Sequence, residues 1–587
     1  MELVRGQANR CGIFLFFDRD GIVDDYIINM LLDLKKNLKH LLVVCNGYVT
    51  HGSLHKLRIV ADEIICRANV GFDVGGYREG IFYLGWKELR NYDELIMVNY
   101  TFYGPLYPFE EMFQAMDEKD INFWGITKHH KVVPDPFQKI SYGFLPEHIQ
   151  SHFLALRKDL FMSYQYRDFI CNMKNPTTYT ESICNYEAIF TKYFEDLGFT
   201  WEVYVDTSEY EEYAYNPLMF YAREVIERKR CPIIKRRSFF TDYNDFLLNS
   251  CGESSLEAYA YIQEKNLYDL DLIWENLLRL ENLTAVHRAL HLNYILESYA
   301  TSFIWDKKIA IIIIVENTRR IKWYKKYMED MPIGADFFLY GSPEDCKIVQ
   351  ELLKQEKVRT FTANTCSYME ALKEVFGKIE TSEYDYVGIA RVRELEAERP
   401  YSNMVSWQYA DWENLFGNKF VIGNLLDAFE NNPRMGMCIP PVPCYGNLFA
   451  KIGEGWCGRY EQVKKYLECQ EIKVNISYSQ RPLTPIGGSF WVRGSLVNTI
   501  LKYIEHEDEE LFLLALPFLI QAVGKYTGIG YSDRYVPIET TNQDFMLREN
   551  NKVVFKKYGA SYHKEVVDRV RNNNFDFGEG ESDIGAG

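Results

Sequence analysis

Arg67-Ala-Asn69-Val-Gly71-Phe-Asp73-Val-Gly75-Gly76-Tyr77 follows a strand-like run and leads into a helical one, and beyond it comes Tyr92-Asp93-Glu-Leu-Ile-Met-Val-Asn99. The second half repeats the pattern: Val358-Arg-Thr-Phe-Thr-Ala-Asn364, a helical run, then Tyr384-Asp385-Tyr-Val-Gly-Ile-Ala390. Ser151-His-Phe-Leu-Ala-Leu-Arg157 is likewise echoed by Ser489-Phe-Trp-Val-Arg493. Order and rough spacing persist while identity is low, so one architecture is used twice. Around the first stretch, apolar strand-length runs at 11–17, 40–45, 63–66 and 94–98 alternate with helical patterns at 24–37 and 77–89. Such alternation means βαβ units and a mostly parallel sheet. Ligands of these sheets bind outside the carboxyl ends of the strands, where the loops 18–21, 69–76 and 99–104 fall.

A chain of 587 residues is too long for one core. Its 47% hydrophobic and 25% charged residues are globular values. The net charge of -17 argues against a nucleic-acid partner, which needs a concentrated basic surface. Thirteen cysteines without a CxxC pair fit a reducing compartment. No secretory leader and no apolar run of ~20 residues is visible, so a cytoplasmic protein, soluble or peripheral on a membrane, is expected. The expected domains are 1–215, an α/β unit; 216–300, a helical connector; 301–560, a second α/β unit; and 561–587, a disordered polar tail.

Five places are candidates to carry chemistry. Phe17-Asp18-Arg19-Asp20-Gly21 ends a strand in DxDG, as haloacid-dehalogenase phosphatases do, although Ile22 replaces their usual Thr; the other reading is a turn that contacts a nucleotide. In Asn69-x-Gly71-x-Asp73-x-Gly75-Gly76, glycines permit close backbone approach and Asp73 can bind a ribose or cap a helix. Asn99-Tyr100-Thr101 stands where nucleotide-sugar transferases of the GT-A type carry an acidic metal-binding motif, and Arg391-Val392-Arg393 stands there in the second copy. The sequence therefore assigns no metal ligands and no cofactor, a divalent metal being the open alternative. Finally, Glu187 shares the stripe of Ile183, Phe190 and Phe194 on one expected helix, at about 100° per residue. A carboxylate there is either a general base or a structural ion-pair partner. His148, Gln150 and Ser151 lead into the strand that ends at Arg157, and together they are candidates to line an acceptor cleft.

The sequence resembles the rhamnan synthesis protein F family of bacterial polysaccharide glycosyltransferases. The resemblance is strong over about 12–290 and weaker over 300–540. It rests on Phe17-Asp18-Arg-Asp20-Gly21, Asn69-Val-Gly71-Phe-Asp73-Val-Gly75, Tyr92 to Asn99, Tyr103-Gly104-Pro105, Phe123-Trp124-Gly125, Pro146-Glu147-His148-Ile-Gln150-Ser151, Tyr186-Glu187 and Pro232-Ile-Ile-Lys235-Arg236-Arg237. It implies two GT-A-like (Rossmann-like) domains in tandem. It also implies transfer of rhamnose from a nucleotide sugar, dTDP-rhamnose, to a lipid-linked glycan at the inner face of the membrane, beside other polysaccharide-assembly enzymes. On this reading Asp20, Gly21, Asn69, Gly71, Asp73 and Asn99 bind the donor, Glu187 and His148 are catalytic, and Gln150, Ser151 and Arg157 line the acceptor cleft. The family usually has Asn-Asp-Ser where Asn99-Tyr100-Thr101 stands, and a Glu-Arg pair where Leu513-Leu514 stands, so the second copy is expected to be the more degenerate. The rival readings are a non-catalytic subunit that organises a synthesis complex and a phosphatase using Asp18 and Asp20.

Overall fold

The computed structural model describes residues 8–241, 250–363, 367–379, 383–393, 402–445, 453–504 and 508–572. The chain divides into two compact units, Met1–Asn276 with Asp568–Gly587, and Leu277–Val567.

The first unit is built on the strands β1 (Arg10–Phe17), β2 (His40–Asn46), β3 (Glu63–Arg67), β4 (Glu94–Asn99), β5 (Phe102–Tyr103), β6 (Phe123–Gly125), β7 (Lys128–His129), β8 (His148–Ile149), β9 (Phe153–Arg157), β10 (Trp201–Val203) and β11 (Ile234–Lys235). Seven of them form one sheet in the order β10-β6-β9-β4-β1-β2-β3. All neighbours are parallel except β9, which runs antiparallel to β4 and β6. Helices α1 (Asp25–Lys35), α2 (His51–Leu57), α3 (Phe72–Leu89) and α4 (Phe109–Asp117) connect its strands. β1 buries all but its last residue, as an apolar run in a sheet covered on both faces must. The expected strands and helices are all present, but α3 begins at Phe72 rather than Tyr77. Gly71, at φ +81°, turns the chain into it. Gly75 and Gly76 are then helical, and a Cβ on Gly76 would lie 2.1 Å from Leu15 Cδ1. Gly76 thus seats α3 against β1, while Gly71 and Gly75 lie against Asn175 and the Val70 carbonyl.

The second unit has β12 (Asn293–Leu296), β13 (Ile309–Val315), β14 (Asp336–Gly341), β15 (Val358–Thr362), β16 (Tyr386–Val392), β17 (Met435–Ile439), β18 (Phe490–Arg493) and β19 (Tyr526–Ser532). Their order is β12-β19-β17-β18-β16-β13-β14-β15, with β18 antiparallel to β16 and β17. Apart from the added β12, this is the first sheet's order and set of directions. The likeness reaches single atoms. Asp93 Oδ2 accepts from the Asn9 N–H at 2.9 Å, and Asp385 Oδ2 from the Lys308 N–H at 2.8 Å. Each aspartate fastens the start of the strand beside its own.

The span 216–300 is not a separate connector. It supplies β11, which pairs with β5, and the boundary between units falls inside the helix Leu270–Leu280. Residues 561–572 continue the helix Val536–Asn572, and 573–587 lie outside the described residues, as do Asn364, Thr365 and Cys366. Among the described residues no helix is long and apolar enough to cross a membrane.

Candidate functional site

β4 ends in a buried Asn99, whose side chain ties the strand's exit to the start of α3. Its amide donates to Asp73 Oδ2 at 2.7 Å, and its Oδ1 accepts from the Thr101 N–H and Oγ1–H. Its own N–H donates to the His152 carbonyl, which fixes the approach to β9. Asp73 keeps some contact with water, yet protein surrounds its carboxylate closely. Burial therefore raises its pKa to about 6; the Asn99 bond opposes that rise, the charge of Glu187 adds to it, and Lys235 opposes it.

Glu187 arrives by a different route. The helix expected over 179–194 is broken into Tyr179–Ser182, a π-turn Ile183–Glu187 and Ala188–Asp196. The wider turn changes the register, so Ile183 packs with Ile140 and Leu145 while Phe190 and Phe194 join the main core. Glu187 thus does not interrupt an apolar stripe. It is half-buried, and its Oε1 accepts the Ser151 N–H at 3.1 Å. π-turns inside helices often mark functional positions.

Beside it lie β8 and β7. His148 and His129 stack with ring centroids 5.2 Å apart. Each has its Nδ1 on a carbonyl, of Pro146 and His130 respectively, so each presents a lone pair at Nε2. Burial first, and then each other's proximity, hold the His129 pKa down to about 3; burial also lowers that of His148 against the pull of Glu187. His148 is therefore a neutral acceptor near pH 7.

The remaining member is Lys235 on β11. Its Nζ donates to His152 Nδ1 at 2.8 Å. Burial lowers its pKa to about 8, with Arg237 adding to that and Glu187 and Asp73 opposing it. Among the described residues no ion-pair partner within 4 Å is present for Asp73, Glu187 or Lys235. No group of three or more His, Cys, Asp or Glu side chains among them is placed to hold a metal ion.

The family described as rhamnan synthesis protein F matches residues 41–512. The chain belongs to this family. No curated protein matches. Among solved structures, the glycosyltransferase GlyE of Streptococcus pneumoniae shares 11% identity over 68% of this chain and 90% of its own, at a TM-score of 0.25. The mannosyltransferase Ktr4p of S. cerevisiae shares 10% over 31% of this chain, which spans 64% of that protein's length, at a TM-score of 0.20. The 4-diphosphocytidyl-2C-methyl-D-erythritol synthase of Anaerococcus prevotii shares 12% over 33% of this chain and 86% of its own, at 0.22. Likenesses this slight carry no argument.

Of the residues singled out in the sequence, Asn99 bonds Asp73, Ser151 bonds Glu187, and the charge of Glu187 acts on both Asp73 and His148. Gln150 lies nearby, bonded to Thr127 and 3.4 Å from Asn216 Oδ1. Asn69 is exposed, and Gly71 packs against Asn175, where a Cβ would meet Oδ1 at 2.7 Å. Asp18 closes its own loop, accepting from the N–H groups of Asp20 and Ile22. Asp20 sits beside Arg19, and Gly21 takes φ +69° against Tyr48.

Arg157 is a correction. β9 runs antiparallel to β4, so Arg157 pairs with Glu94, at the opposite end of β4 from Asn99. It binds the carbonyls of Lys119 and Met116 and lies 3.7 Å from Glu94. It closes the C-terminal end of α4 and lies away from Asn99. Its echo Arg493 does the same work, binding the carbonyls of Phe429 and Asn432. The sequence assigned no role to Lys235 or His152.

The second unit of this rhamnan synthesis protein F chain fills the matching place with ion pairs. Arg391 Nε bonds Glu316 at 2.7 Å, its Nη1 bonds Glu509, and its guanidinium lies 4.3 Å over the Tyr368 ring. Arg393 donates to the Gly487 carbonyl. Asp411 is buried, and burial lifts its pKa to about 7 against the two arginines. Leu513 and Leu514 belong to the apolar core.

Proposed function

We propose that this chain is a GT-A-like glycosyltransferase that moves a sugar, rhamnose first among the candidates, from a nucleoside diphosphate to a growing bacterial cell-surface polysaccharide. Family membership supports the reaction class. The observation that carries the assignment to the first unit is the meeting of Asp73 and Glu187 at the carboxyl end of β4, two carboxylates without ion-pair partners among the described residues.

The chemistry follows from these groups. The acceptor hydroxyl oxygen bonds to the anomeric carbon as the bond from that carbon to the phosphate oxygen breaks, and the electron pair leaves with the nucleoside diphosphate. The hydroxyl proton goes to a carboxylate. Glu187 fits that role: Ser151 fixes one oxygen and leaves the other for the acceptor, as a positioned base requires. Asn99 holds Asp73 toward the donor, where a carboxylate can accept from sugar or ribose hydroxyls. The neutral Nε2 of His148 accepts a further hydroxyl. On this reading dTDP-rhamnose is the donor, a lipid-linked glycan at the inner membrane face the acceptor, and the second unit an organising or glycan-binding domain.

The purified full chain, offered dTDP-rhamnose beside UDP- and GDP-sugars, should bind one of them, and Asp73→Ala should weaken that binding by about 1–3 kcal/mol. Calorimetry that finds unchanged affinity in a folded Asp73→Ala chain removes Asp73 from the site. Binding without any transfer or donor hydrolysis favours the non-catalytic subunit instead.

A further inference from the structure

We infer that Lys235, aimed by the imidazole of His152, is the counter-charge for the diphosphate of the donor. This rests on the donor-cleft reading above and adds the group that takes up the leaving charge.

The geometry is fixed by backbone. β11 pairs with β5 so that Lys235 lies opposite Phe102, just beyond Asn99, and the Arg236 N–H donates to the Thr101 carbonyl. Lys235 is thus held at the exit of β4, where Tyr100 replaces an acid. His152 is 1% exposed, and its ring packs edge-on against Phe102 at 5.7 Å. Since Lys235 donates to Nδ1, that nitrogen carries the lone pair and the proton is on Nε2. Nε2 is buried with no hydrogen-bond partner. A buried N–H left unsatisfied is a cost, and here it accompanies the orientation of one ammonium.

That ammonium is itself unusual. The groups acting on it are Glu187 from the π-turn, Asp73 from α3, and Arg237 and Cys231 from its own segment. Neither carboxylate closes on it as an ion pair, and its bond to His152 uses one of three donors. A largely buried cation without an anion is unfavourable unless a ligand supplies one. A diphosphate does so, with two or more negative charges as the anomeric bond breaks. Arg237, 3.4 Å from the Tyr179 hydroxyl, stands in the same stretch as a second positive charge.

Anion binding should then draw a proton onto Lys235, whose pKa of about 8 leaves it part-neutral at that pH. The test is calorimetry of the full chain with dTDP, UDP and GDP at pH 8 in buffers of differing ionisation enthalpy. The expected result is uptake of about half a proton per nucleotide bound. Lys235→Met should lose that uptake and at least tenfold in affinity, with the affinity for the nucleoside alone unchanged. Lys235→Arg should keep most of the affinity without the uptake, and His152→Phe should weaken binding and move the pH at which uptake is largest. A wild-type chain that binds a diphosphate without proton uptake at pH 8 overturns the inference, as does a folded Lys235→Met chain with full affinity; both leave the donor cleft standing. If none of the three diphosphates binds the wild-type chain, the donor-cleft reading fails, and this inference with it.

Discussion

The two sheets share strand order and direction, yet the exits of β4 and β16 treat charge in opposite ways. At β4, Asp73, Glu187 and Lys235 influence one another without pairing. At β16, Arg391 is clamped between Glu316 and Glu509. Unpaired, partly buried charge is unfavourable for the fold and suited to a ligand; paired charge costs the fold less and has little left to offer one. On the proposed reading, the same scaffold serves chemistry in the first unit and structure in the second.

The sharpest way to break this contrast is Glu187→Gln. If Glu187 is the base, turnover should fall by about 10²–10⁴ while donor affinity and melting temperature hold. Full turnover in a stable Glu187→Gln chain would leave the first unit without its base. Next comes Arg391→Met. It should destabilise the chain by about 2–3 kcal/mol, less than for a fully buried pair because Glu316 and Glu509 keep contact with water. Activity per folded molecule should stay near wild type. A variant that melts normally but transfers no sugar would reverse the roles assigned to the two units.

A smaller effect of opposite sign is expected at Asp73. Its folded pKa of about 6 lies above the ordinary aspartate value of 3.8, so folding favours the protonated form. That contribution is full below pH 3.8 and is lost as the pH rises through 6. At pH 7 the ionised group therefore works against the fold, and Asp73→Asn should raise stability by about 1–2 kcal/mol, a gain that disappears by pH 4. Urea titrations at the two pH values read this directly, and a variant less stable at pH 7 would contradict the burial argument. The mildest perturbation is EDTA. With Tyr100 and Val392 where acids are expected, activity should survive at least in part. Complete loss, restored by Mn²⁺ or Mg²⁺, would place a metal on other carboxylates.

Much of this fold was legible in the sequence because β1, β2, β3 and β4 of the first sheet are short, mainly apolar runs alternating with helical patterns. The repeat was legible through Asp93 and Asp385, whose carboxylates do the same local work in both units. The echo of Arg157 in Arg493 was legible too, yet the sequence placed Arg157 in an acceptor cleft, whereas both arginines bind the carbonyls at a helix end. Three features were hidden. The direction of β9 depends on a long-range pairing, so which end of the sheet Arg157 occupies could not be read locally. The π-turn shifts a 100° periodicity that fits a straight helix equally well. Lys235 reaches the site through a two-residue strand paired across more than a hundred residues of chain, which no window of sequence reveals. The glycines of 71–76 were read as a loop because close helix–strand packing and ligand approach ask for the same missing side chain.

The π-turn has a consequence for how such a chain diversifies. It amounts to one extra residue lodged in an otherwise regular helix. Removing a single residue there would restore α-helical winding and rotate the segment bearing Glu187 by about 100° relative to what precedes it. The helix would survive, and the sheet beneath it need not change. If Glu187 is the base, the group that takes the proton is therefore separable from the fold by one codon, and a single deletion could silence the chain without unfolding it.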